Sequence, residues 1–186
     1  MSDEASAPTE GGPKLAKSGS IVGRWELNPD GSTVTFGIKH FWGIMTVRGV
    51  FDTVTGKGEV GPDGSFSGSI SLDAASVNTK NKQRDKHLRS ADFFHAENHP
   101  EVTITLDDAV LSPDGRLTGQ VQLGAAGHQN PVSLDATVSE LEPGKVLLEA
   151  EATVDRTLFG MTWSPMGMSA KNATVKVKAR FDRVSA

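Results

Sequence analysis

Hydrophobic and polar residues alternate with a period of two along most of this chain, a spacing that puts one set of side chains on each face of an extended strand. In Ser32–His40, Val34, Phe36 and Ile38 fall on one face and Thr33, Thr35 and Lys39 on the other. Ser65, Ser67, Ser69 and Ser71 alternate with Phe66, Gly68, Ile70 and Leu72. The same pattern holds for Val102, Ile104 and Leu106, for Leu117, Gly119, Val121 and Leu123, and for Val132, Leu134, Ala136 and Val138. It returns at Leu148, Ala150, Ala152 and Val154, and at Val175, Val177, Ala179 and Phe181. With Thr46–Thr55 these make eight predicted strands. Pro62-Asp63-Gly64, Pro113-Asp114-Gly115 and Pro143-Gly144 are tight reversals between them, because Pro presets φ and Gly accepts positive φ. Neighbouring strands are therefore hairpin-connected and antiparallel.

Strands with one wet and one dry face reach burial either as two packed sheets or as one closed barrel, and periodicity alone allows both. The inferred inner face carries small residues at Gly37, Gly49, Gly68, Gly119, Ala136, Ala150, Ala152 and Ala179. A filled interior wants bulk, so these positions favour a barrel with an apolar cavity. The competing reading is that they mark bends and close strand contacts.

One segment breaks the rhythm. Helix formers dominate from Lys82 to Ser90, with Asn81 or Thr79 available as N-cap and Leu88 as the only apolar anchor before Phe93 and Phe94. This predicts a short helical lid around residues 81–95, lying across one end of the barrel. Arg84 and Asp85 are adjacent and point in different directions on a helix, so each is expected to tie the lid to the rim rather than to pair with the other. Five basic residues and one acid lie between Lys80 and Arg89. Arg84 with Arg89 can meet a polar or phosphate head of a ligand, and the alternative is a solvated charged face. Phe41-Trp42-Gly43-Ile44-Met45 and Phe159 to Met168 put bulky apolar residues where polar loops are expected. They are either plugs for a barrel end or a mouth for a greasy ligand, and a mouth if they gather with Phe93 and Phe94 at one end.

Composition narrows the function. The chain has 186 residues and a net charge of −4, with no basic footprint for nucleic acid. It has no cysteine, which excludes disulfides and thiolate chemistry. Residues 1–20 have almost nothing to bury and read as a disordered tail before a barrel domain at 21–186. They contain no secretory leader, and no stretch approaches the roughly 18 apolar residues of a membrane span. The expectation is a cytoplasmic protein without stable membrane insertion. His87, Asp92, His95, Glu97 and His99 match no common metal spacing, so no metal is assigned. No G-x-S-x-G elbow and no phosphate-cradling glycine loop occur either.

The central segment carries Ser76 and Thr79, then Arg84, Asp85, His87, Leu88, Arg89, Ser90, Asp92, Phe93 and Phe94, then Pro100. Trp25, the run from Ser32 to His40, Arg48-Gly49, Phe51, Asp155-Arg156 and Phe159-Gly160-Met161 accompany it. In these residues the chain resembles the YceI-like family of polyisoprenoid-binding, lipocalin-like barrels over roughly residues 24–183. The resemblance implies an all-β, eight-stranded antiparallel barrel that holds a polyisoprenoid, isoprenoid quinone or similar long-chain hydrophobic molecule inside. The hairpin at Gly119–Val132 departs from the family pattern. The expected ligand contacts are Phe36, Ile38, His40, Phe41, Trp42, Met45, Arg84, His87, Leu88, Phe93, Phe94, Met161, Trp163 and Met166. No catalytic residue and no cofactor is assigned, and a homodimer is a compatible assembly. Two alternatives stand beside this reading. One is a cavity enzyme using His40 or His87 as acid or base, or a resistance or biosynthetic accessory protein, acting on a hydrophobic metabolite, and the other is a ligand-free interaction module using the Gly124–Asn130 tip.

Overall fold

The computed structural model describes residues 21–185 with the exception of Leu134. Its strand segments form one closed antiparallel barrel of eight staves. The first is β1 (Gly23–His40), followed by β2 in two pieces (Met45–Phe51 and Val54–Val60) and β3 in two pieces (Ser65–Asp73 and Val77–Asn78). After the helix α1 (Lys82–Leu88) come β4 (Glu101–Leu111), β5 (Arg116–Thr118 and Gln120–Ala125) and β6 (His128–Ser133 and Asp135–Glu142). The last two are β7 (Lys145–Asp155) and β8 (Ser169–Arg183). Each stave pairs with the next in sequence, and β8 returns to β1 from Trp25 opposite Arg183 to His40 opposite Ser169. Sheet closure thus removes both edges.

Several staves are longer than the alternation predicts, and for two of them the reason is local. β1 begins at Gly23 rather than Ser32, because its pairing with β8 is interrupted between Asn28 and Thr33. There the Ser32 hydroxyl donates to the Asn28 carbonyl (2.5 Å) and accepts from the Arg180 amide (3.0 Å). This polar bulge hides an upstream half that buries Trp25 and Leu27. β2 continues past Thr55 to Val60, where Gly56 and Gly58 erase the apolar half of the pattern. The predicted tail at 1–20 and the inward placement of Leu134 fall outside the described residues.

The small residues prove to be of several kinds. Gly37 lies opposite Arg48 on the outer face, so its assignment to the interior is corrected. Gly49 faces inward, but the Phe36 ring occupies the place of its missing side chain. Phe66 does the same over Gly58 and Gly68, with its Cζ 3.5 and 3.3 Å from where their Cβ atoms would sit. Gly119 separates the two pieces of β5, and a Cβ there would stand 2.8 Å from Ala109 Cβ, so it is a close strand approach. Ala136, Ala150 and Ala179 are core residues. Two small voids, of about 40 and 20 Å³, lie among these fillings in the deep half of the barrel.

The barrel has unlike ends. Reversals at Pro62–Gly64, Pro113–Gly115 and Pro143–Gly144 close one end tightly, with Gly64, Gly115 and Gly144 at φ of 83, 86 and 81°. The other end carries α1, the 41–44 turn, the 125–128 hairpin tip and the 156–168 loop. Gly49→Ala, which forces the Phe36 ring aside, is expected to destabilise by about 1–3 kcal/mol. Thermal denaturation should then show Tm lowered by roughly 2–4 °C per kcal/mol, with Gly37→Ala shifting it by no more than about 2 °C. Equal behaviour of the two variants would contradict the assignment of their faces.

Candidate functional site

The lid is built on one threonine. Asn81 caps α1 by accepting from the Arg84 amide (3.0 Å). Asp85 is buried, and its Oδ1 accepts from both the Thr79 amide (2.8 Å) and the Thr79 hydroxyl (2.5 Å). Arg84 Nε donates to Thr79 Oγ1 (2.8 Å) and Nη2 to the Thr79 carbonyl (2.9 Å). The two neighbours diverge on the helix yet meet on Thr79, which directly follows β3, so they fasten the lid to that strand end rather than to the rim at large. Arg89 donates to the carbonyls of Ala75 (2.6 Å) and Val77 (3.0 Å). It is spent on the turn below the helix and does not line the chamber.

Beneath α1 lies a chamber of about 420 Å³, within the range of about 300–1,000 Å³ usual for small-molecule sites. Phe36, Ile38, Val47, Leu88, Phe93 and Trp163 supply its apolar wall. His40, Asn81, Gln83, Arg84, His87, Arg156 and Ser169 supply the polar part, and no carboxylate belongs to the lining. Phe36 rests on Phe51 (ring centroids 5.8 Å apart) and on Phe94 (6.0 Å), and Phe51 meets Phe94 at 5.3 Å. Phe36 thus forms part of the inner wall with Phe51 and Phe94 behind it, and the chamber shares no lining residue with the two deep voids. A second trio guards the mouth: the His87 ring sits 4.6 Å from Trp163 and 5.1 Å from Phe93, edge to face.

Eight of the expected contacts therefore line the chamber: Phe36, Ile38, His40, Arg84, His87, Leu88, Phe93 and Trp163. Phe94 stands behind the inner wall, and Met161 is buried, its carbonyl held by Arg156. Phe41, Trp42, Met45 and Met166 lie on the exposed rim. The two apolar loops do gather at one end: the Phe41 amide donates to the Met168 carbonyl (2.9 Å), and Trp163 meets Phe93 at 5.8 Å.

Val47, Asn81, Gln83, Arg156 and Ser169 also line the chamber and were not among the expected contacts. Arg156 is buried, with Nε donating to the Ala170 carbonyl (2.8 Å) and Nη1 to the carbonyls of Met161 and Trp163. Its signal was the Asp155-Arg156 pair of the family resemblance, to which sequence reading gave no role. Asp155 Oδ1 accepts from the Thr157 amide (3.0 Å) and hydroxyl (2.6 Å), and Oδ2 bridges Lys171 (2.9 Å). Those partners, the Thr157 hydroxyl foremost, hold its carboxyl below the usual range. Burial lowers the Arg156 pKa, but a guanidinium stays charged. Nη1 of Arg84 and Nη2 of Arg156 make no hydrogen bond to the described residues. Both arginines line the chamber, and neither makes a direct hydrogen bond to a carboxylate.

His40 Nδ1 lies 3.1 Å from Ser169 Oγ. Burial, then the charges of Arg156 and Arg84, push its pKa down. His87 Nε2 is 2.8 Å from Asp92, and His95 meets His99 edge to face with ring centroids 5.4 Å apart. Among the described residues no group of three or more such side chains could hold a metal ion. The altered hairpin tip is packed rather than free: a Cβ on Gly127 would collide with the His99 ring, and Asn130 donates to the Leu158 carbonyl (3.0 Å). No described helix is long and apolar enough to cross a membrane.

The sequence pattern described as the YceI-like domain matches residues 25–182. A UPF0312 protein of Pectobacterium atrosepticum is 32% identical over 129 residues, which cover 66% of this chain and 65% of that protein. One from Staphylococcus aureus is 34% identical over 74 residues, 39% of this chain and 43% of its own. The chain thus spans a little under two thirds of the length of the first of these curated relatives. Among solved structures, Burkholderia cenocepacia BcnA superposes with a TM-score of 0.75 at 16% identity, covering 83% of this chain and 98% of its own. A polyisoprenoid binding domain from Saccharophagus degradans gives 0.69 at 14% identity, covering 86% and 98%. These structural likenesses establish the fold.

Folded His40 stays neutral to a lower pH than in the unfolded chain, where the ordinary value of 6.5 applies. Its contribution to stability is therefore complete above pH 6.5 and is lost as pH falls below it, because the unfolded chain takes up the proton first. Proton NMR of the imidazole signals is expected to give His40 a midpoint below 6.5. A midpoint at or above that value would contradict its burial beside two guanidiniums.

Proposed function

The chain belongs to the YceI-like family, and from that premise we propose that it binds a long apolar molecule carrying a polar, acceptor-rich head, with part of the chain in the chamber under the lid. The observation that carries this reading is an apolar wall combined with two arginines and no carboxylate. An isoprenoid phosphate, an isoprenoid quinone or a similar lipid has that division of chemistry. Each methylene removed from water contributes about 0.8 kcal/mol, so a few isoprene units suffice for useful affinity after ordering costs. The free N–H groups of Arg84 and Arg156 then orient the head, and charge-assisted hydrogen bonds of that kind are worth roughly 1.5–3 kcal/mol each. The polyisoprenoid-binding description of the Saccharophagus domain agrees with this ligand class.

The protein acts here as a carrier or sequestering protein rather than as an enzyme. His40 and His87 both face the chamber, which meets the geometric condition of the catalytic alternative. His40 pairs with Ser169 and His87 with Asp92, so each imidazole can donate to or accept from a head group. Binding is supported instead by the apolar wall and the two arginines of the lining. The hairpin tip, packed on His99 and Leu158, gives little support to a role as an interaction module.

Protein purified without detergent is expected to carry a lipid detectable by native mass spectrometry, and repeated isolation of empty protein would overturn the reading. In titrations of delipidated protein, a prenyl phosphate should bind about tenfold or more tightly than its uncharged alcohol. Arg84→Gln should remove most of that difference.

A further inference from the structure

The rim contains a feature that chamber binding does not use. Trp42, Ile44 and Met166 are 82, 86 and 86% exposed, the most exposed large apolar side chains of the described residues. They stand on two separate turns, Phe41–Gly43 and Pro165–Gly167, joined side by side by the hydrogen bond from the Phe41 amide to the Met168 carbonyl. Both turns hold bulky residues in the left-handed region, with φ of 50° at Phe41, 54° at Trp42 and 50° at Met166. Non-glycine residues occupy that region only when the surroundings hold them there. The strained backbone here presents side chains to water, where core packing gains nothing from them.

We propose that these two turns form a peripheral docking surface for an anionic lipid bilayer, with Trp42, Ile44 and Met166 seated in its interfacial layer. Aromatic and aliphatic side chains on a protruding rim suit that layer, and cations beside them add attraction to acidic headgroups. The required charge is present although the whole chain carries −4. Lys39, Arg48 and Lys80 line a groove that descends the outer wall from the rim, and its one acid, Glu151, is bridged to Lys176. Exposed Lys82 and Lys86 continue the basic surface over the lid. Of the acids at this end, Asp92 pairs with His87 and Asp155 with Lys171.

The surface is also continuous with the chamber. His40, immediately before the first turn, and Ser169, just after the second, both line the cavity, as does Trp163 between the loops. A lipid passing between bilayer and chamber at this rim crosses apolar side chains rather than water.

Co-sedimentation with extruded vesicles tests this, using phosphatidylcholine mixed with phosphatidylglycerol and free of isoprenoids, so that the outcome does not depend on the chamber's ligand. The wild-type protein is expected to bind the mixed vesicles, to bind pure phosphatidylcholine more weakly, and to be released by salt. The triple variant Trp42→Ser, Ile44→Ser, Met166→Ser should keep the wild-type Tm and lose about tenfold or more in partitioning. Three results would overturn the proposal. They are absence of binding to the mixed vesicles, unchanged binding by the folded triple variant, and light scattering that shows the rim consumed in a dimer which the triple variant dissolves.

Discussion

The pairing of β1 with β8 is the constraint on which the open end depends. Without it the sheet would present two long edges, and the inward residues of β1 would face nothing. With it, Phe36 and Ile38 look across at the turn that Arg156 holds, and the last rung sets His40 opposite Ser169. The chamber's polar and apolar halves are thus brought together by hydrogen bonds between residues more than a hundred positions apart, and both rim turns leave the barrel from that same rung.

Arg156 shows how a charge can be placed inside such a site. Three of its N–H contacts go to the carbonyls of Met161, Trp163 and Ala170, so the loop is organised around the guanidinium rather than merely tolerating it. Backbone carbonyls satisfy donors without neutralising charge, unlike a carboxylate partner. Arg84 is treated alike by Thr79, whose hydroxyl and carbonyl both accept from it. The chamber therefore keeps its positive character while its arginines stay fixed in place.

Alternation was sufficient to read the eight staves, since every strand has one dry face, and the tight turns spelled out the antiparallel order. It failed where side chains were missing or polar for local reasons. The Asn28–Ser32 bulge hid the half of β1 containing Trp25, and glycines hid the second piece of β2. Most of the chamber wall was legible because its members sit on strand periodicity or on the lid motif. Arg156 was visible only as part of the Asp155-Arg156 match, and its place in the wall was not, because a buried arginine looks like a surface one until the loop carbonyls that surround it are known. Inferring empty space from small residues was unsound for a related reason: whether Gly49 leaves a hole depends on where the Phe36 ring turns, which is a property of the packed barrel.

That ring sets a boundary of an unusual sort. Phe36, braced by Phe51 and Phe94, lines the chamber part-way down a barrel whose staves continue beyond it, so the size of the chamber is set by side chains and not by the backbone. Substitutions at these positions alter it without disturbing a rung of the hydrogen-bonded ladder. Within one fold the space under the lid can therefore diverge between proteins while register, lid and rim stay the same.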